Sequence, residues 1–299
     1  MYVTSRWSRS SLIALATLAA LGVAAPASAR GAGGPYRNGL VAFVRCCGPA
    51  GIYVIRPDGS GERRIYRALA DDAPLTPSWS PDGRRLAFVP GAARPGVWVM
   101  GANGTNRRRV TGGKGDALFP SWSPGGSWLA YADLSSAKSQ LHDIYLVRAT
   151  GSIPRRLTTA PADESHPTWS PNGRVIVYER GRAVWGMGAA GRDQRLLARN
   201  AGSPSWSPGG THIAFVRGGD PWVMASDGTG QKRVVHMAKA QIAIAWSPDG
   251  RWLVTAPLAR GELTLVRADG STTNALTDAP GYGNSWPAWQ RLPAPATKS

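Results

Sequence analysis

Cysteine is nearly absent, with two in 299 residues, adjacent at Cys46 and Cys47, which excludes a disulfide-stapled scaffold and a four-cysteine zinc site. Acidic residues are scarce, 18 against 35 Lys plus Arg, so the formal charge is +17. The longest apolar run, fourteen residues from Leu12 to Ala25, falls short of the roughly 20 that cross a bilayer. Long helices are excluded as well, because 37 Gly and 24 Pro are spread along the whole chain and would break them. What the chain does have is tryptophan, 13 in all, far more aromatic surface than a disordered polymer carries. The composition describes a turn-rich, all-β globular protein with a basic surface.

Arg6 and Arg9 precede the apolar run, and Pro26 and Ala27-Ser28-Ala29 follow it. A positive start, a short apolar middle and a small-x-small end make a Sec-type signal peptide over residues 1–29, cleaved near Ala29. Loss of two arginines leaves a side-chain charge of 17 − 2 = +15. The expectation is an exported chain with no stable membrane span after cleavage, located in a periplasm, a cell-wall space or the medium.

One unit then recurs: PSWSPDGRRLAFV from Pro77, PSWSPGGSWLAYA from Pro120, PTWSPNGRVIVYE from Pro167, PSWSPGGTHIAFV from Pro204 and IAWSPDGRWLVTA from Ile244. Its tryptophans are Trp79, Trp122, Trp169, Trp206 and Trp246, with Trp289 opening a sixth unit. The spacings of 43, 47, 37, 40 and 43 residues are those of a four-stranded propeller blade. In each unit a strand ends at Trp-Ser, and a turn follows in which Pro presets φ and Gly tolerates φ > 0. A β-branched apolar strand comes next, as in Leu86-Ala87-Phe88-Val89. A third strand and a second Gly-containing turn follow six times, as in IYVIRPDGSG and LTLVRADGST. Gly39–Val44 reads as a second strand whose first strand is missing, and Pro287-Ala288-Trp289 supplies it. The expectation is a six-bladed β-propeller over residues 38–292, between a linker at 30–37 and a tail at 293–299. Three N-terminal strands and one C-terminal strand close the ring.

These W-S-P-D-G-x-x-[LI]-A-[FY] units resemble the TolB-type propeller repeat, a relative of WD repeats. The resemblance implies a propeller without the α/β domain that precedes it in TolB, since the first strand starts about eight residues after the expected cleavage point.

The repeat tryptophans read as wedges between blades. The residue before each inner-strand proline, or its equivalent, varies while its flanks repeat: Thr76, Phe119, His166, Ser203, Ala243 and Trp286. A propeller places that position at the mouth of the central channel. Asp71, Asp72, Asp116, Asp163 and Glu164 lie further back in the same loops, so aromatics, polar groups and acids converge on one candidate binding site. His166, beside Asp163 and Glu164, is the histidine best placed to act as a base or ligand. His142, His212 and His236 share no ligand spacing, so no metal centre and no cofactor are expected. Cys46 and Cys47 leave a strained vicinal disulfide, intermolecular pairing or free thiols open.

Arginine also recurs where each outer strand begins, at Arg63, Arg64, Arg107, Arg108, Arg109, Arg155, Arg156 and Arg195, then Lys232 and Arg233. This predicts a basic band on five of six blades, suited to anionic polymers. No G-x-S-x-G, H-E-x-x-H or P-loop motif occurs. The reading favoured is a monomeric, non-catalytic envelope module that recognises a protein segment or an anionic cell-wall polymer at the channel mouth, and not nucleic acid. The alternative is a lyase or hydrolase of extracellular polysaccharide using His166 with Asp163 or Glu164.

Overall fold

A computed structural model describes residues 36–46, 48–68, 75–91, 95–112, 117–134, 140–278 and 281–293. The expected signal peptide, Cys47 and the tail beyond Pro293 lie outside them. Asp71, Asp72 and Asp116 do too, so neither the vicinal disulfide nor these three carboxylates can be placed.

All the described regular structure is β, in six antiparallel sheets of four strands. Blade 1 holds β1 (Tyr36–Cys46), β2 (Gly51–Ile55) and β3 (Arg63–Arg67). Blade 2 is β4 (Leu75–Trp79), β5 (Arg85–Val89), β6 (Trp98–Gly101) and β7 (Arg108–Arg109). Blade 3 is β8 (Leu118–Trp122), β9 (Trp128–Leu134), β10 (His142–Arg148) and β11 (Arg155–Arg156). Blade 4 is β12 (Glu164–Trp169), β13 (Val175–Arg180), β14 (Ala183–Gly188) and β15 (Arg195–Arg199). Blade 5 is β16 (Gly202–Trp206), β17 (His212–Arg217), β18 (Asp220–Ala225) and β19 (Lys232–Arg233). Blade 6 is β20 (Gln241–Trp246), β21 (Trp252–Pro257), β22 (Thr264–Arg267) and β23 (Thr273–Ala275). The final strand, β24 (Gly283–Pro293), returns to blade 1 as its innermost strand and pairs with β1 from Tyr36↔Pro293 to Cys46↔Gly283.

The Trp-Ser-Pro-x-Gly turn is held by its serine. Ser80, Ser123, Ser170, Ser207 and Ser247 each accept a hydrogen bond on Oγ from the backbone N–H five residues on, at 2.9–3.1 Å. Blade 1 has no such turn, because its two inner strands belong to opposite ends of the chain. There Gln290 stands at the serine position and reproduces the bond, accepting from Leu40 N on Oε1 at 3.0 Å. Its Nε2 also donates to Gly83 O at 2.7 Å, tying blade 1 to blade 2.

Packing between blades follows the repeat. Trp79 is buried in a cluster with Ile52, Val54 and Ile65 of blade 1, and Trp122 with Val97, Val99 and Val110 of blade 2. Trp206 packs on Val184 and Leu197 of blade 4, and Trp289 on Val254 and Leu265 of blade 6. The tryptophan is thus a wedge against the preceding blade. Each buried indole is worth roughly 4–6 kcal/mol as an upper bound from its area. The second turn makes the other regular contact. Its glycine has φ near +90°, and a Cβ on Gly191 would stand 2.8 Å from Leu157 O, just after the outer strand of the preceding blade. Gly104 and Gly270 meet Ile65 O and Val234 O in the same way, so that turn needs glycine for conformation and for space.

Gln290→Ala should leave Leu40 N and Gly83 O without their partner and cost about 1–3 kcal/mol. Urea unfolding of both proteins measures this. Ending the chain before Gly283 should abolish the cooperative transition altogether.

Candidate functional site

The six inner strands enclose a central channel holding a cavity of about 260 Å³. At one end stand the residues that precede the inner-strand prolines. Thr76, Phe119, His166, Ser203 and Trp286 all have φ between 39° and 51°, and each sits where the inner-strand register slips. The following proline has no N–H for the ladder, which suits a bulge. Blade 6 separates the slip from the backbone twist: its register also shifts, between Gln241 and Ala243, yet Ala243, which precedes Ile244 instead of a proline, pairs with Ala256 and is absent from the positive-φ residues. The bulges re-aim these positions into the channel, and all six, Ala243 included, line it.

The ring they form is lopsided. Phe119, His166 and Trp286 come from blades 3, 4 and 1, and their rings meet, with centroids 3.6 Å apart for Phe119–His166, 5.0 Å for Phe119–Trp286 and 5.1 Å for His166–Trp286. Trp286 and His166 belong to opposite blades, so this aromatic cluster reaches across the channel. Blades 2, 5 and 6 supply only Thr76, Ser203 and Ala243. Two of these have structural work: Thr76 Oγ1 accepts from Phe119 N at 3.0 Å, and Ser203 Oγ donates to Ile242 O at 2.6 Å, each joining its blade to the next.

His166 is enclosed by this cluster. Burial holds its pKa down at about 3, although the charge of Asp163 works the other way, so the imidazole is neutral in the folded protein at ordinary pH. Its Nδ1 lies 2.9 Å from Ser165 Oγ and 3.4 Å from Glu179 Oε2. The acids next to it in sequence do not join it. Glu164 is fully buried and ion-paired at 2.6 Å to Arg180 Nε, and burial still keeps its pKa raised. Burial also raises Asp163, but hydrogen bonds from His142 N and Nδ1, at 2.9 and 2.8 Å, outweigh it and hold the carboxylate low. The carboxylate that does approach His166 is Glu179, raised by burial and accepting from Ser203 N at 3.0 Å. Composition alone did not reveal it, yet a signal existed: Glu179 occupies the second-strand position that holds Val89, Ala132, Val216 and Ala256 in other blades.

Deeper in the channel, Ser78, Ser121, Thr168 and Ser205 line blades 2–5, while Ala245 and Ala288 line blades 6 and 1. Among the described residues no three of His, Cys, Asp and Glu come together as a metal would require. The arginines expected to form an outer band do lie exposed at the outer strands, from Arg63 and Arg64 on β3 to Lys232 and Arg233 on β19. Several are engaged. Arg156 Nη2 pairs with Asp143 at 2.6 Å, Arg233 Nη1 with Asp220 at 3.4 Å, and Arg107 lies over the Tyr66 ring.

The sequence profile of the TolB β-propeller domain matches residues 36–188, half of the chain. The chain belongs to the TolB β-propeller domain family. Its fold is similar to TolB from Acinetobacter baumannii, with a TM-score of 0.72 at 20% identity over 86% of this chain and 67% of that one. It is also similar to a chain of a nidogen/laminin complex (TM-score 0.72, 10% identity, 84% of this chain and 98% of that one). Kuenenia stuttgartiensis hydrazine synthase gives a TM-score of 0.68 at 12% identity, over 87% of this chain and 47% of that one. At these identities the likeness concerns the fold alone. No curated protein matches the sequence. The TolB-type blade thus accounts for the scaffold, and the lopsided ring is what this chain has placed on it.

A histidine whose folded pKa is depressed takes up its proton only on unfolding, so it lowers stability as pH falls from its ordinary 6.5 toward about 3. His166→Phe should therefore lose less stability than the wild type on going from pH 7.5 to pH 5, by about 2 kcal/mol. Urea unfolding at both pH values tests this, and parallel losses would contradict a buried neutral imidazole.

Proposed function

We propose that this TolB-type propeller is an exported, non-catalytic binding module that takes an extended protein segment at the aromatic end of its channel. The observation that carries the reading is the convergence of Phe119, His166 and Trp286 from three blades over a cavity lined by hydroxyl groups. Aromatic faces supply apolar contact at little entropic cost, and neighbouring hydroxyls satisfy polar groups of a bound chain. A cavity of about 260 Å³ is small beside the roughly 300–1,000 Å³ of small-molecule pockets, which favours one or two inserted side chains over a whole cofactor. Export rests on the signal sequence at residues 1–29.

The chemistry of the ring also favours binding over hydrolysis or elimination. His166 is neutral and enclosed, while Asp163 and Glu164 are held by His142 and Arg180 and not aimed at it. A second reading, retention of an anionic envelope polymer on the outer face, is favoured by the exposed arginines of β3, β7, β11 and β15.

Selection of random displayed peptides on the mature protein, with Phe119→Ala/His166→Ala/Trp286→Ala as the counter-screen, separates these readings. Peptides that hold in 0.5 M salt (about a 4–5 Å Debye length) and weaken at least about tenfold in the variant (roughly 1.4 kcal/mol) are the expected result. Salt-sensitive binding of teichoic-acid-like or other polyanions, equal in both proteins, with no peptide selected, would move the functional surface to the outer arginines.

A further inference from the structure

The far end of the channel carries a second departure from the repeat. Two residues after each repeat tryptophan stand Pro81, Pro124, Pro171, Pro208 and Pro248, all lining the channel. The sixth copy, on β24, has Arg291. Among the described residues no other Arg, Lys, Asp or Glu lines the channel, and the one further titratable group there, His166, is neutral.

Two enclosed arginines elsewhere are neutralised by carboxylates, while Arg217, off the channel, gives its guanidinium to Arg199 O and Gln231 Oε1. Arg45 is bound by Glu62 at 2.6 and 2.9 Å, and Arg180 by Glu164 at 2.6 Å. Arg291 makes no ion pair with any described carboxylate. Its contact is the Tyr36 ring, 5.4 Å from the guanidinium carbon. The acid on the adjacent blade's turn, Asp249, is taken up by Asn38 Nδ2 at 3.0 Å, Ser247 Oγ at 2.5 Å and Arg251 N at 3.0 Å. Burial lowers the pKa of Arg291, with Tyr36 working the other way, and an arginine remains protonated at any ordinary pH. A cation so placed, with a rim of proline carbons around it, is poorly hydrated and presents a planar fork that matches a carboxylate.

We propose that Arg291 is the anion subsite of the channel and binds a single carboxylate carried by the ligand, at the end opposite the aromatic ring. This rests on the peptide reading above for the source of the carboxylate, which is then an Asp or Glu side chain or a chain terminus. The site itself stands without that reading.

The test has two arms. In the first, 15N-labelled protein is titrated with sodium acetate at constant ionic strength, balanced with sodium perchlorate, and with acetamide as the neutral control. One arginine Nε–Hε resonance, identified by its loss in both Arg291→Gln and Arg291→Lys, should shift saturably with acetate and not with acetamide. A linear drift shared with the exposed arginines would overturn the site. In the second, the displayed-peptide selection is repeated on Arg291→Gln. Peptides from the wild type should be enriched in one acidic position, bind Arg291→Gln at least tenfold more weakly, and lose that acid in selection on the variant. Peptides that bind the wild type without any acidic preference would overturn the proposal and leave the peptide reading standing. Saturable acetate binding with no peptide selected would do the reverse, retaining the carboxylate site and removing the peptide as its source. Equal melting of Arg291→Lys and wild type checks that the loss is one of recognition.

Discussion

Closure of the ring at blade 1 governs everything else in this molecule, because every other inter-strand contact within a blade is local and this one is not. The pairing of β1 with β24 brings together residues some 250 positions apart, as in the Leu40–Gln290 hydrogen bond. Its entropic cost grows only slowly with loop length. Five blades are built from strands that are neighbours in sequence, whereas blade 1 draws on strands from far-apart parts of the chain. The channel is also completed there, since Trp286, Trp289 and Arg291 all lie on β24. A propeller that had not closed would lack one aromatic of the ring and the single cation at the other end. Ring closure and the lining of both channel ends therefore depend on one strand.

The two ends of the channel are built by the same rule applied at different positions. A repeat sets the backbone, and the copies that depart from it set the chemistry. At one end a bulge with a positive-φ residue before proline presents a variable side chain from five blades, three of them aromatic, while Thr76 and Ser203 use the same position to bond to the next blade. At the other end five prolines make an inert rim and Arg291 interrupts it. Because the two ends differ in chemistry, a chain bound as proposed would meet aromatic rings at one end and a cation at the other.

Much of this was legible in the sequence, and the reasons are specific. The tryptophan spacing, the serine-proline-glycine turns and the split sixth unit required the six-bladed ring, since each is a local signal repeated at blade distance. The mouth residues were legible because they vary between invariant neighbours. Pairings across the blade were not. Adjacency suggested that Asp163 and Glu164 serve His166, and alternation would even put Glu164 and His166 on one face, but the bulge at His166, with φ 51°, breaks it. Glu164 thus turns to Arg180, and the acid that reaches His166 comes from the next strand, at Glu179. Gln290 and Arg291 escaped for the opposite reason: they lie in the one unit whose second half is at the other end of the chain, where no following strand exposes the departure from Ser-Pro.

The excess of arginine over lysine has a physical use beyond net charge. Arg85, Arg148, Arg180, Arg217 and Arg267 lie 4.5–5.5 Å from the ring centres of Trp122, Trp128, Trp185, Trp222 and Trp252. A guanidinium stacks flat on an indole and keeps its edge donors in water, which a lysine ammonium cannot do. Four of these indoles stand on second or third strands, and Trp122 on an inner one, so five arginines are committed to covering the scaffold. Arg291 differs from these arginines in lining the channel itself, where no carboxylate stands beside it, and that placement is what makes one charge among 35 informative.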